Sequence, residues 1–392
     1  MPLLFDSLFS SIALGHLMVD LLNGSRSVLL AYLSGPLGLT NANIALISTL
    51  YVWTASITQP IFGWLTDRFG PRWLAAGGLL WMMTFFMLAM FLPGKESLFF
   101  LVVASLGSAA LHPAGAMQAT LRGRTHYAGR ETTAASFFFM FGQMGFFFGP
   151  IIAGPLLGTY GLYGLLIPAG LCLPIATNAG WQLRNTRPVR VPGKQEPSSI
   201  RLNRSVGFVI TLATIAILQA WAQQNMMTFL PKYLKDLGQT PAWYGLITGL
   251  FMGGSALGNV FGGQLADRFG KQRVAGIMLA LASVPLFLIS LVGWSPWLYL
   301  LIPLSGMLTG SVHSIVVVIA QSTIKGGMAL ASGLILGIMF SAGAFGTLLS
   351  GPLADSSGFP LVFQMTAGLV LTASLVTLRL RETASQPNVV DV

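Results

Sequence analysis

Charge is what this chain has least of. Only 8% of its 392 residues are Asp, Glu, Lys or Arg, against 54% hydrophobic, and its mean hydropathy is +0.73. A soluble domain carries roughly a quarter charged residues because its whole surface must be hydrated, so a soluble globular protein is excluded. A single cysteine, Cys172, excludes an internal disulfide and leaves the redox compartment unread. There is no nucleotide-binding loop of the form Gly-x4-Gly-Lys-Ser/Thr and no His-Glu-x-x-His pair, which argues against direct ATP drive and against a zinc hydrolase. The opening MPLLFDSLFS has no Lys or Arg; a cleavable signal peptide would have a basic start, so the first segment is expected to be a retained helix.

What the sequence does have is apolar runs. They fall at about 7–33, 42–63, 73–92, 97–118, 132–158 and 162–183, and again at 205–231, 242–263, 274–293, 296–320, 328–353 and 360–378. At about 20 residues per crossing plus a short turn, the length holds about twelve. Internal Gly and Pro are compatible with helix here, since neighbouring helices satisfy the freed backbone groups in lipid. The expected fold is an all-α integral membrane protein with twelve transmembrane helices in two pseudo-symmetric bundles. Residues 1–183 form one six-helix bundle, 184–204 a Pro-rich basic linker, and 205–392 the second bundle with a short tail.

The basic excess, 21 Lys+Arg against 11 Asp+Glu, then acquires a position. If the N-terminus is cytoplasmic, 17 of the 21 basic residues lie in connections or tail on that one side, leaving Lys95, Lys232 and Lys235 opposite and Arg26 within a helix. This is the positive-inside pattern. It places the linker and both termini in the cytoplasm, the chain in an inner or plasma membrane, and the arginines near anionic lipid. No aromatic-interleaved basic patch accompanies them, so nucleic-acid binding is not expected.

An octet recurs at a distance of 200 residues. Gly63-Trp-Leu-Thr-Asp67-Arg68-Phe-Gly70, followed by Arg72, returns as Gly263-Gln-Leu-Ala-Asp267-Arg268-Phe-Gly270, identical at six of eight positions. Both copies follow the second helix of their half, which points to a duplicated half-molecule of the kind transporters rock about a central site. Glycines permit close helix packing, and the Asp and Arg can engage helix ends, acidic partners or headgroups. The octets are therefore candidate gating elements; ordinary tight turns at a membrane surface are the alternative.

This octet resembles the loop signature of the major facilitator superfamily, and the two-halves arrangement agrees over the whole chain. Gly145-Phe-Phe-Phe-Gly149-Pro150-Ile-Ile-Ala-Gly154 resembles the glycine-proline motif of its antiporters, with Ala153 in place of a glycine. The resemblance implies export and a gating role for Gly145, Gly149 and Pro150. Other stretches are similar to the fosmidomycin-resistance-like efflux group: Gly15-His16-Leu-Met-Val-Asp20, Gly107-Ser-Ala-Ala-Leu-His112-Pro113, and the segment from Ala320 to Asp355. Ala114, Met117 and Arg26 depart from that group's pattern.

Ionisable groups inside a membrane are functional candidates by default. Asp20 is the one acidic residue placed deep in a segment, and low-dielectric surroundings disfavour a charged carboxylate, which suits a proton carrier near neutral pH. His16 lies one turn earlier on the same face and can share the proton; a purely structural pair is the alternative. Two such ligands without a third do not define a metal site, so neither metal nor cofactor is expected. Asn23 extends the polar stripe. Arg26 lies about 9 Å further along the helix, either drawing in an anionic substrate or snorkelling to the outer interface.

His112 and His313 occupy nearly equivalent places in the two halves and are expected near the centre, as substrate contacts or as hydrogen-bonded packing residues. Gln219, Gln223, Gln224 and Asn225 in the seventh crossing, and Gln143 in the fifth, are expected to line a substrate cavity. Asp355 is expected to cap or pair at the outer interface. The resulting expectation is a non-enzymatic secondary transporter, a proton-coupled antiporter exporting a small amphipathic or drug-like compound by alternating access. Its partners are then the small-molecule substrate, protons and membrane lipids, with the protein acting as a monomer. Symport or facilitated movement of an anionic metabolite is the second reading; a polytopic enzyme or sensor is remote.

Overall fold

A computed structural model describes residues 2–92, 94–127, 131–186, 201–202, 205–325 and 328–380. The helices are α1 (Ser7–Leu33), α2 (Asn41–Phe69), α3 (Pro71–Phe91), α4 (Glu96–His126), α5 (Glu131–Tyr160), α6 (Leu166–Gly170), α7 (Cys172–Gln182), α8 (Val206–Asp236), α9 (Pro241–Phe269), α10 (Lys271–Val292), α11 (Leu298–Thr323) and α12 (Met328–Thr377). The β-structure among the described residues is one antiparallel bridge pairing Arg201–Leu202 with Lys325–Ile324. Linker residues Arg187, Arg190, Lys194 and Arg204, with Arg130 and Arg381, lie outside the described residues, as does the side chain of Asp267.

Helix starts follow local chemistry. Asp6 caps α1 by accepting from Phe9 N at 2.9 Å, Thr40 and Asn43 form a reciprocal capping box on α2, and Pro71 and Pro241 open α3 and α9. Both repeated octets end on a glycine in the left-handed region, Gly70 at φ 87° and Gly270 at φ 94°, where the chain turns straight into the next helix.

Nine stretches of the described residues are long and apolar enough to cross a membrane. Two of them, Ala134–Asn185 with 52 residues and a 41-residue stretch ending at Thr377, each exceed the length of one pass about twofold. The first contains α5, a 3₁₀ turn and the interrupted pair α6–α7; the second is broken at Gly358, φ 79°, into two helices. α1 is outside the nine: its run carries His16, Asp20, Asn23 and Arg26, and it is buried on nearly all sides, as a central helix would be.

The halves meet along α5 against α9, α2 against α12 and α1 against α8. Trp53 Nε1 donates to Ser341 O at 2.9 Å and Thr49 Oγ1 to Ala344 O at 2.7 Å across the α2–α12 seam. One end of the bundle is shut. Lys235 donates to Ala31 O, Tyr32 O and Ser34 Oγ at the C-terminus of α1, while Asp355 accepts from Asn41 N and Ala42 N at the N-terminus of α2. Each charge opposes the partial charge of the helix end it meets, and the capping expected of Asp355 is what it does. The octets sit at the other end, where Trp64, Phe69 and Phe269 are exposed.

Candidate functional site

The site begins with how closely α1 and α5 approach. A β-carbon at Gly142 would lie 2.5 Å from His16 Cε1 and 2.6 Å from both Asp20 Oδ2 and His16 Nε2. One at Gly145 would strike the backbone of Leu17 and Leu21, and one at Gly149 that of Leu21 and Ser25. The glycines at 142, 145 and 149 thus form one seam, and Pro150 O abuts Gly245 of α9 on the far side. This gives the glycine-proline motif a direct packing role. Gly142, absent from the sequence-based candidates, shares the spacing of three then four that puts residues on one helical face.

That seam presses Asp20 into a polar cluster supplied by three helices. Asp20 Oδ2 lies 3.1 Å from His16 Nε2 and Oδ1 lies 3.6 Å from His112 Nε2, with both the carboxylate and His16 buried. His16 Nδ1 is 2.8 Å from Phe138 O, and His112 Nδ1 is 2.7 Å from Ser108 O. A carbonyl only accepts, so both Nδ1 atoms carry hydrogen. Each Nε2 therefore faces the carboxylate either as a lone pair or, once protonated, as the second donor of an imidazolium. His16, expected beside Asp20 on α1, is joined there by His112 of α4.

Asn23 donates to Asp20 Oδ1 at 2.8 Å and to Ser108 Oγ at 3.0 Å, and Tyr51 OH donates to Asn23 Oδ1 at 2.5 Å. Phe138 stacks on His16 with centroids 4.1 Å apart. His112 brings the number of potential metal-binding side chains to three, with ligand atoms within 4.8 Å of one another. The two histidines approach different oxygens of Asp20, and Oδ1 also accepts from Asn23.

Arg26 does not snorkel. It is 4% exposed, with its guanidinium 4.5 Å over the ring of Tyr51, and its Nε is buried without a partner. Tyr51 thereby joins Arg26 to Asn23 and so to Asp20.

Between the halves lies a cavity of about 160 Å³, walled by Gln143 and Phe146 of α5, Gln219, Gln223 and Gln224 of α8, and His313 of α11. Pockets for drug-sized ligands run from about 300 Å³ upward, so this one must widen to admit such a molecule. Gln219 Nε2 donates to Gln223 Oε1 and Thr309 O, and Gln223 Nε2 to Ser255 Oγ. Among the described residues, Gln219 Oε1 and Gln224 Nε2 are buried without partners, leaving one acceptor and one donor unanswered in the residues that line the cavity.

Asn225 is not part of this wall. It is fully buried, donating to Thr366 Oγ1 and accepting from Thr347 Oγ1 on α12. Two residues along a helix turn 200°, so it faces away from Gln223. Of the two histidines expected near the centre, His112 lies against Asp20 and His313 lines the cavity.

At the octet end, Arg68 stacks on Trp64 and Phe69, Arg72 on Trp73, and Arg268 on Phe269. Gly63 packs against Pro113, and Asp67 is exposed. A contact absent from the sequence reading ties this end together: Arg122 makes a bidentate pair with Asp6, its Nη2 2.7 Å from Oδ2, and Tyr127 OH adds a bond at 3.2 Å. Burial works against the Asp6 carboxylate, but Arg122, Phe9 N and Tyr127 together hold its pKa below the usual value.

The sequence profile of the Major Facilitator Superfamily matches residues 12–233 and 212–391. The chain is similar to the fosmidomycin resistance protein of Escherichia coli (strain K12), 25% identical over 381 residues, covering 94% of this chain and 91% of that protein. In fold it is similar to the nucleoside transporter NupG, with a TM-score of 0.76 at 16% identity over 95% of this chain and 99% of that one. It is equally similar to a bacterial homologue of the human lysosomal transporter Spinster in an inward-facing and occupied conformation, with a TM-score of 0.76 at 13% identity over 95% of this chain and 96% of that one. With two profile matches that between them span nearly all of it, and a fold shared with solved transporters, the chain belongs to the Major Facilitator Superfamily of membrane transporters, not to a family of enzymes.

Proposed function

We propose that this transporter is a proton-coupled antiporter that exports a small amphipathic or drug-like compound by alternating access. The observation that carries this reading is the His16–Asp20–His112 cluster, a buried carboxylate between two imidazoles whose Nε2 atoms both face it. Protons enter and leave this cluster, while substrate binds the cavity beside it among Gln143, Gln219, Gln223 and His313. The fosmidomycin resistance protein, by its name, supports the export direction.

In the cycle, rocking of residues 1–183 against 205–392 opens the octet end or the end shut by Lys235 and Asp355. The octets, Gly63 to Arg72 and Gly263 to Gly270, gate the first; Gly145, Gly149 and Pro150 keep α5 a close-fitting shaft between α1 and α9. The charge distribution supports cytoplasmic termini and twelve crossings in an inner or plasma membrane, with the monomer as the working unit.

The test is Asp20→Asn in proteoliposomes. Proton-driven accumulation should be abolished while exchange of substrate for substrate persists; uphill transport equal to wild type would sink the assignment. A second reading, symport or facilitated movement of an anionic metabolite, is favoured by Arg26, which no carboxylate among the described residues neutralises. Counterflow with the pH gradient opposed or aligned separates the two, since the antiporter accumulates substrate only against the opposed gradient.

A further inference from the structure

Among the described residues, Arg26 is a deeply buried cation that no carboxylate answers. Among the described residues, no carboxylate or hydrogen-bond acceptor touches its guanidinium; its contact is the face of Tyr51, and its Nε is buried and unpaired. An aromatic face attracts a cation but accepts none of its five N–H groups in the guanidinium plane. The acidic residue nearest in the hydrogen-bonded chain, Asp20, is already engaged by His16, His112 and Asn23. The partly exposed Arg122, by contrast, is paired with Asp6. An ion taken from water into a low-dielectric interior costs several kcal/mol unless paired, so an unpaired arginine at 4% exposure calls for a counter-ion from outside the chain.

Its position fits a ligand's path. Arg26 follows Asp20 by six residues, about 9 Å along α1, and precedes the shut end at Leu33 by about 10 Å. α1 and α2 touch little along their backbones, and Arg26 and Tyr51 fill the space between them. The shut end hides this pair now; parting Lys235 from the end of α1 and Asp355 from the start of α2 brings it to the mouth of the opening.

We propose that Arg26 binds an acidic oxoanion group of the transported molecule, a carboxylate, phosphonate or sulfonate, with its N–H edge in bidentate contact and its back against Tyr51. Planar bidentate pairing of this kind is what a guanidinium provides and an ammonium does not. The inference rests on the reading of the protein as a small-molecule transporter, and is independent of the direction of transport and of the coupling ion.

The test is equilibrium binding by the purified full-length protein in detergent at neutral pH, with no gradient. The probes are octanoate, octylphosphonate and octanesulfonate below their aggregation concentrations, each against octan-1-ol as the neutral partner. Wild type should be stabilised thermally by at least one acid at concentrations where octan-1-ol has no effect. Arg26→Gln should weaken that acid's apparent Kd by at least about 30-fold, within the span typical of a charge-assisted pair, while keeping any response to the alcohol. Arg26→Lys should fall between.

The unliganded Arg26→Gln protein should melt no lower than wild type, since an unpaired buried charge has been removed. A merely structural arginine would give the reverse, a lower melting temperature. No preference for any acid over the alcohol, an unchanged Kd in Arg26→Gln, or a destabilised Arg26→Gln protein would each overturn the proposal. Asp20→Asn serves as the separating control: loss of the proton-driven reading there leaves this binding result intact, and failure here leaves proton coupling standing.

Discussion

Adding one methyl group at Gly142 should uncouple the transporter. The β-carbon of Gly142→Ala would stand 2.6 Å from Asp20 Oδ2 and from His16 Nε2, where ordinary contact needs about 3.4 Å or more. Something must therefore move by nearly 1 Å. Neither obvious direction is free: His16 is stacked on Phe138 and tied to its carbonyl, and Asp20 is held by Asn23 on its other oxygen. Overpacking of this sort costs about 1–3 kcal/mol.

Part of that falls on the 3.1 Å contact between Asp20 and His16, so, on the proposed coupling, the population of the protonated cluster changes by up to about 150-fold. The assay is accumulation in proteoliposomes as a function of the pH outside, with Gly149→Ala as control. That second glycine abuts the backbone of Leu21 and Ser25 and touches no titrating group. Both variants should lose comparable thermal stability, but only Gly142→Ala should displace the pH profile of uphill transport. Identical profiles in the two would refute the claim that the α1–α5 seam sets the geometry of the proton site.

Three further outcomes follow from contacts elsewhere. Asp6 has a depressed pKa in the folded protein, so its pairing with Arg122 stabilises above the ordinary carboxylate range and that stability is lost as pH falls through the folded value; Asp6→Asn should lower the melting temperature at pH 7, at a cost of about 1–3 kcal/mol, and the two melting curves should converge on acidification below about pH 4. Tyr51→Phe removes the bond to Asn23 while leaving a ring under Arg26; it should cost about 1 kcal/mol and alter the pH profile of transport, read in the same vesicles, more than the affinity for acids. Lys235→Ala strips three bonds from the end of α1; in a Cys172→Ser background, a cysteine placed by Ser48→Cys should then react faster with an impermeant maleimide added from that side, and an unchanged rate would show that the clasp does not govern closure.

Much of this architecture could be read from the chain because its signals are local. Hydropathy marks most of the long helices within a window of about twenty residues, α1 excepted, and the two octets declare both the duplication and the turns that Gly70 and Gly270 make. Asp20 stood out by scarcity. What could not be read is what depends on distant packing. Nothing near His112 says that it, and not His313, reaches Asp20, 92 positions earlier, nor that the carbonyl of Phe138 fixes the tautomer of His16. Arg26 was ambiguous because an arginine two turns from a helix end can reach either water or the interior, and only the placement of Tyr51 decides. Asn225 is a different case. Its 200° offset from Gln223 was present in the sequence, and helical periodicity alone separates the two faces.

The clasp at the shut end has one further property. Both of its charged members come from the second half, while what they grip in the first half is mostly main chain: the last carbonyls of α1 and the first amides of α2, with Ser34 Oγ as the sole side chain. Main-chain groups survive nearly any substitution. Most substitutions in the turn between α1 and α2 therefore leave the groups gripped by the clasp in place, whereas a substitution at Lys235 or Asp355 removes the gripping charge itself.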